Sequence, residues 1–207
     1  MCSIIASFKK EKVSDLVKLN MHRGSFSWSV TNDGKTEKGF GTFNFECLDQ
    51  INGNGYIISH IQAPTGGMVK DFDRIHPTLH NGSKLWHNGI LTPRGIKYLQ
   101  NKLNINIAFD TELLHKSIEK FGFEILDSIE GLFSCLYYNG KDYFIFRTKH
   151  GKLYIDTDLN ISSERFEDSK CINYDTIYKI DFENKNIIEV SEFKTKRFNI
   201  IIQGEFE

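Results

Sequence analysis

MCSIIASF, residues 1–8, sets a cysteine directly behind the initiator methionine and runs at once into an apolar segment rich in β-branched side chains. A short apolar run of this kind reads as a buried strand. Loss of Met1 gives Cys2 a free α-amine beside its thiol. An α-amine ordinarily titrates near 7.7–8.0, so it is one of the few groups able to take a proton from a thiol at neutral pH. The cysteine side chain is small enough for the preceding methionine to be trimmed. Taken alone, Cys2 also fits an inert thiol in a first strand, and other residues have to decide.

Outward from this strand the sequence predicts an α+β chain. VSDLVKLN (13–20) has helical spacing, FSWSV (26–30) alternates, and NDGK (32–35) reads as a hairpin turn leading to a strand around GFGTFNFE (39–46). GYIISHIQ (55–62) and KLWHNGIL (84–91) read as strands. Pro93 can open a helix through RGIKYLQNKL (94–103), because proline at the first helical position forfeits no hydrogen bond. Asp110 or Thr111 is expected to cap a helix over TELLHKSIEKFG (111–122), with Gly122 as its stop. Residues 132–158 read as three strands joined by turns at NGK (139–141) and KHGK (149–152), and 177–191 as a further hairpin. Strand-rich regions around central helices predict sheets packed face to face under helical layers, in one domain over 1–207.

The chain has 207 residues, enough for a substantial core. A hydrophobic fraction of 40% with a net charge of -1 excludes an intrinsically disordered chain and gives no electrostatic support to nucleic-acid binding. No stretch approaches the roughly 20 apolar residues of a membrane span, so the expectation is a cytoplasmic protein with no membrane partner. The composition is that of an AT-rich coding sequence, as in a phage or a low-GC bacterium. Cys2, Cys47, Cys135 and Cys171 lie far apart without CxxC spacing, which argues against zinc or a disulfide framework. No metal or cofactor is expected, and the three cysteines other than Cys2 are expected to be buried.

Three further segments carry possible chemistry. In WHNG (86–89) the Asn88 amide beside the Gly89 N–H offers two donors of the kind that stabilise a developing oxyanion, although Asn-Gly is also a common turn. SHIQAPTGG (59–67) ends a strand in small and polar groups suited to close approach by a ligand, with His60 either a binding group or a satisfied core residue. Asp110 in FDTE (109–112) is either a helix cap or a carboxylate for a substrate ammonium.

Together and in this order, Cys2, RGSFS (23–27), SHIQAPTGG, LWHNGIL (85–91), DTELLHKSIEKFG (110–122), SIEGLFSCL (128–136), FRTKHGKLYIDTD (146–158) and ISSE (161–164) resemble the glutaminase domain of the class II glutamine amidotransferases. This is a family of N-terminal-nucleophile hydrolases that includes glucosamine-6-phosphate synthase and amidophosphoribosyltransferase. The resemblance implies a four-layer αββα sandwich of two mainly antiparallel sheets. It implies Cys2 as the nucleophile, with its own α-amine as base, acting on the side-chain amide of L-glutamine. Asn88 and Gly89 then match the oxyanion hole, and Asp110 matches the carboxylate that holds the substrate ammonium. Arg23 matches the RG turn beside the nucleophile, and His60, Gln62 and Thr65 fall in the substrate-binding segment.

Two departures stand out. Gln62 occupies the place of an arginine that clamps the substrate carboxylate, a loss of about 1.5–3 kcal/mol if uncompensated; Arg74 and Arg23 are the candidates to replace it. Phe26 stands in a turn that usually carries an acidic group. The family joins this domain to one that consumes the ammonia, so the resemblance implies a separately encoded synthase as partner. The rival expectations are a regulatory or binding subunit of the same fold, and an amidohydrolase acting on another amide.

Overall fold

A computed structural model describes residues 2–53, 55–63 and 70–196. The first strand, β1 (Ser3–Ser7), is buried along its whole length because both its faces are covered. Ile4 and Ala6 point into a cluster with Trp86, Leu136 and Ile145, whereas Ile5 points the opposite way, into a cluster with Val13, Leu16 and Val17. A strand packed on both sides has no polar face, which is why its sequence reads as an apolar run rather than an alternation.

Two sheets supply those contacts. One has the order β11-β9-β10-β1-β4-β2-β3, where β2 is Ser27–Asn32, β3 Lys35–Phe40, β4 Ile57–Gln62, β9 Tyr154–Ile155, β10 Ile161–Ser162 and β11 Lys170–Cys171. The other has the order β13-β12-β8-β7-β6-β5, where β5 is Thr78–His80, β6 Ser83–Leu91, β7 Gly131–Tyr138, β8 Tyr143–Arg147, β12 Thr176–Asp181 and β13 Asn186–Glu192. All the strand pairs are antiparallel. The cluster holding Ile4, Ile58, Trp86, Leu136 and Ile145 lies between the sheets. On the outer face of the first sheet sit α1 (Lys10–Asn20) and α2 (Glu46–Asp49), through Val13, Leu16, Val17, Cys47 and Leu48. On the outer face of the second sit α3 (Pro93–Leu103) and α4 (Asp110–Phe121), through Leu99, Leu113, Leu114 and Ile118. The layers are therefore α, β, β, α.

Local chemistry accounts for several boundaries. Asp33 and Gly34 adopt positive φ and close the β2–β3 hairpin at the expected turn, with Asn32 opposite Lys35. Pro93 opens α3 behind Thr92, whose hydroxyl accepts from the Gly95 N–H at 3.0 Å. Gly122, at φ 71°, ends α4.

Three expectations need correction. The strand expected over 39–46 lies earlier, at Lys35–Phe40. Phe43 and Phe45 instead pack on the α1 cluster ahead of α2, so their spacing imitates a strand without forming one. Residues 132–158 do form three strands, β7, β8 and the short β9, although the chain leaves β8 and crosses to the other sheet at β9. Neither Asp110 nor Thr111 is the N-cap of α4; Phe109 holds that position, and the Asp110 Oδ2 accepts from the Leu91 N–H at 3.2 Å. Finally, Cys171 is exposed while Cys2, Cys47 and Cys135 are buried. Among the described residues no helix is long and apolar enough to cross a membrane.

Candidate active site

Cys2 stands at the entry to β1, in the middle of the first sheet, and is only 7% exposed. Its Sγ lies 3.9 Å from the Ala63 carbonyl, just beyond the end of β4. Burial pushes the thiol above its ordinary range, partly offset by backbone hydrogen bonding from Ala63. A buried thiol of this kind is not a thiolate at neutral pH, so its use as a nucleophile requires a base that takes the proton during attack.

Arg23 fixes the backbone of this residue. It sits in a single helical turn after α1, and its Nε donates to the Cys2 carbonyl at 3.0 Å while its guanidinium pairs with Glu164. The turn is held close by Gly24, where a Cβ would lie 2.6 Å from the Gln62 carbonyl carbon and the Ala63 nitrogen. Arg23 thus acts on the position of Cys2, with its charge met by Glu164.

Asn88 and Gly89 arrive from the other sheet, on β6. Asn88 is buried and its Nδ2 donates to Ser163 Oγ at 3.0 Å. Ser163 is itself tied to β1, since its Oγ accepts from the Ile4 N–H at 2.9 Å and its N–H donates to the Ile4 carbonyl at 3.0 Å. This serine therefore joins the strand carrying Cys2 to the side chain of Asn88. Gly89 adopts φ 153°, and a Cβ there would lie 2.1 Å from the Leu132 carbonyl oxygen, so only glycine fits. Cys2, Arg23, Asn88 and Gly89 line one cavity of about 240 Å³, completed by Ile90, Leu132 and residues 150–152. A thiol and an amide side chain meet there beside a backbone that approaches closely.

The remaining sequence-predicted residues are not among those lining this cavity. Asp110 is half-buried at the start of α4, its Oδ1 accepting from the Thr111 N–H at 2.8 Å. Gln62 accepts from Ser27 Oγ at 2.7 Å through its side-chain oxygen. His60 is fully buried, with Nε2 3.0 Å from the His87 carbonyl oxygen and its ring stacked 4.0 Å from that of His76. Burial pushes His60 down to about 3, so the ring is neutral and Nε2 donates. Thr65 lies outside the described residues. Of the arginines considered as replacements at position 62, Arg23 is engaged with Glu164 and Arg74 lies 3.6 Å from Asp71.

Sequence reasoning missed the residues that brace the site. Thr111 Oγ1 lies 2.9 Å from His87 Nδ1 and 3.1 Å from His76 Nε2, forming a buried polar junction behind Asp110. Nothing in the spacing of His76, His87 and Thr111 announces this contact, because the three come from a loop, a strand and a helix. Ser163 and Glu164 carried a signal only as part of the ISSE segment. Among the described residues no cluster of His, Cys, Asp or Glu is arranged to hold a metal ion.

The two facing antiparallel sheets, the outer helices and the cysteine at the head of the central strand define the fold class. The chain has the N-terminal-nucleophile hydrolase fold of the class II glutamine amidotransferase domains. In particular, it is similar to a glutamine phosphoribosylpyrophosphate amidotransferase from B. subtilis solved with ADP and GMP. That likeness has 17% identity and a TM-score of 0.66, over 95% of this chain and 50% of that one. It is also similar to an allosteric regulatory enzyme of purine biosynthesis, at 17% identity and a TM-score of 0.62, over 97% of this chain and 49% of that one. A glutamine aminotransferase class-II domain protein from Silicibacter pomeroyi follows, with 11% identity and a TM-score of 0.52, over 93% of this chain and 99% of that one. The chain spans about half the length of the first two. By sequence it matches no family model and no curated protein.

Proposed function

We propose that this chain is a glutamine-directed amidohydrolase of the class II amidotransferase type, with Cys2 as its nucleophile once Met1 is removed. The observation that carries this reading is the single cavity lined by Cys2, Asn88 and Gly89 within a fold of this class. In the first step the Cys2 α-amine takes the thiol proton and Sγ attacks the side-chain amide carbon of glutamine. The developing oxyanion is met by the Asn88 amide, turned from Ser163, and by the Gly89 N–H. The ammonium form of the α-amine then gives its proton to the departing nitrogen, the C–N bond breaks, and ammonia leaves a thioester on Cys2. Water attacks the thioester, releasing glutamate and restoring the thiol. Asp110 holds the substrate ammonium, and Arg23 holds the Cys2 carbonyl so that the amine and thiol keep their mutual geometry. His60, Gln62 and Thr65 belong to the substrate-facing segment of this reading, His60 from behind it. Ammonia passes directly to an acceptor enzyme, because free ammonia in water is mostly protonated and a poor nucleophile.

One observation favours a second reading, hydrolysis of an amide other than glutamine. The Gln62 side-chain oxygen is committed to Ser27, and neither Arg23 nor Arg74 stands free of a carboxylate to take the place of an arginine at position 62.

The test is steady-state release of glutamate and ammonia from glutamine by protein lacking Met1, beside the Cys2→Ala variant. Equimolar products from the native protein and none from the variant support the proposal. Equal turnover by both removes Cys2 from the chemistry.

A further inference from the structure

A second cavity, of about 590 Å³, adjoins the first, and Leu132 and His150 line both. Its volume is that of a small-molecule site. Its charge is one-sided: Lys149, Lys194 and Lys196 line it, against the single carboxylate of Asp175 among its lining residues. The surplus is positive in a chain whose net charge is -1. Among the described residues these three lysines make no ion pair.

Both segments that carry the lysines are pinned by their backbones. Arg147, 8% exposed, donates through Nε to the Ile172 carbonyl at 2.7 Å and through Nη1 to the carbonyls of Lys149 and Gly151 at 3.1 and 3.0 Å. These bonds fold residues 148–151 into a fixed loop around a guanidinium satisfied by carbonyls, with no ion pair among the described residues. Across from it, the Phe193 N–H donates to the Asp175 carbonyl at 2.8 Å, the Lys194 N–H to Asp127 Oδ1 at 2.6 Å and the Lys196 N–H to the Ile129 carbonyl at 3.0 Å. Backbones fixed in advance leave only the lysine side chains to order when a ligand arrives, which lowers the entropic cost of binding. Clefts lined by one sign of charge focus potential onto a ligand of the opposite sign.

We propose that this cavity binds a small molecule carrying phosphate or carboxylate groups, held by Lys149 and Lys194. The ligand lies against the wall formed by Leu132 and His150, next to the cavity of Cys2. The site is defined by its own lining and does not depend on which amide Cys2 uses.

Calorimetric titration with inorganic pyrophosphate at 150 mM NaCl tests it, using both the native protein and the Cys2→Ala variant so that the result stands apart from the chemistry of the thiol. One-to-one binding is expected in both, weakened about tenfold or more by Lys149→Glu and by Lys194→Glu, the loss expected for a bond to a charged group. Lys141→Glu, in the exposed β7–β8 turn, is expected to bind as the native protein does. All three variants are checked for unchanged melting temperature. Absence of saturable binding overturns the proposal. So does equal weakening by Lys141→Glu, which assigns the binding to general surface charge.

Discussion

Acidification from pH 7.5 to pH 5 should destabilise this protein through its buried histidines. His60 is fully buried and pushed down by burial to about 3, and His115, wedged between Thr78 and Ser83, is pushed down to about 4. Both rings are therefore neutral in the folded protein across this range, whereas in the unfolded chain a histidine binds its proton near 6.5. The unfolded state gains protons that the folded state refuses, so stability falls as the pH drops below 6.5. The loss levels off only near pH 4 for His115 and pH 3 for His60. At pH 5, about 1.5 pH units below the unfolded value, each ring contributes a loss of about 2 kcal/mol, or about 4 kcal/mol for the pair. His76 and His87 are also pushed down by burial and act in the same direction. A loss of this size is a large part of the roughly 5–15 kcal/mol that stabilises a typical domain. Urea denaturation followed by fluorescence at half-unit steps of pH measures it directly, above the range where carboxylates begin to titrate. In His60→Gln the fall should shrink by about 2 kcal/mol, since one titration has been removed. A free energy of unfolding that stays level between pH 7.5 and 5 would refute the neutral-core account.

Two substitutions probe the proposed chemistry. Asn88→Ala should lower kcat for glutamine about 10²- to 10³-fold with little change in KM, the pattern of a donor that acts on the transition state; stopped-time assays of glutamate release check it. Gln62→Arg should lower KM for glutamine about ten- to a hundredfold, as a charged donor is restored to the substrate carboxylate, with kcat little altered; an unchanged KM would show that position 62 does not face the substrate.

The sequence was most legible where burial or backbone chemistry leaves a strong mark. The runs IIAS and KLWHNGIL are strands because both faces of β1 and much of β6 are covered, and Pro93, Gly122 and the Asp33-Gly34 pair mark a helix start, a helix stop and a hairpin. It was least legible where long-range contacts override local pattern. KTEKGF forms β3 with almost no apolar signal because it is an exposed edge strand, while the aromatic spacing of Phe43 and Phe45 serves core packing. The crossing from β8 to β9 is set by Arg147, which binds the loop carbonyls of Thr148, Lys149 and Gly151, and by Gly151, where a Cβ would meet the Phe133 carbonyl oxygen at 2.1 Å; neither is written in a periodicity.

Much the same holds for the site. Cys2, Asn88 and Gly89 are far apart in the chain but sit at a strand head and a strand end, positions that a motif reading can find. The residues that orient them, Ser163 on Asn88 and Glu164 on Arg23, become visible only when the sheet is assembled. Gln62 was noticed as a departure, yet its bond to Ser27 depends on the β2–β4 register, which sets the two residues opposite one another.

The central claim is that Cys2, freed of Met1, is a nucleophile directed at glutamine. Intact-mass spectrometry after brief exposure to 6-diazo-5-oxo-norleucine reads processing and reactivity in one spectrum. The account predicts loss of Met1 together with a single adduct, located on Cys2 by peptide mapping and absent from Cys2→Ala. A protein that has lost Met1 and acquires no adduct, or acquires it equally in Cys2→Ala, would contradict the account.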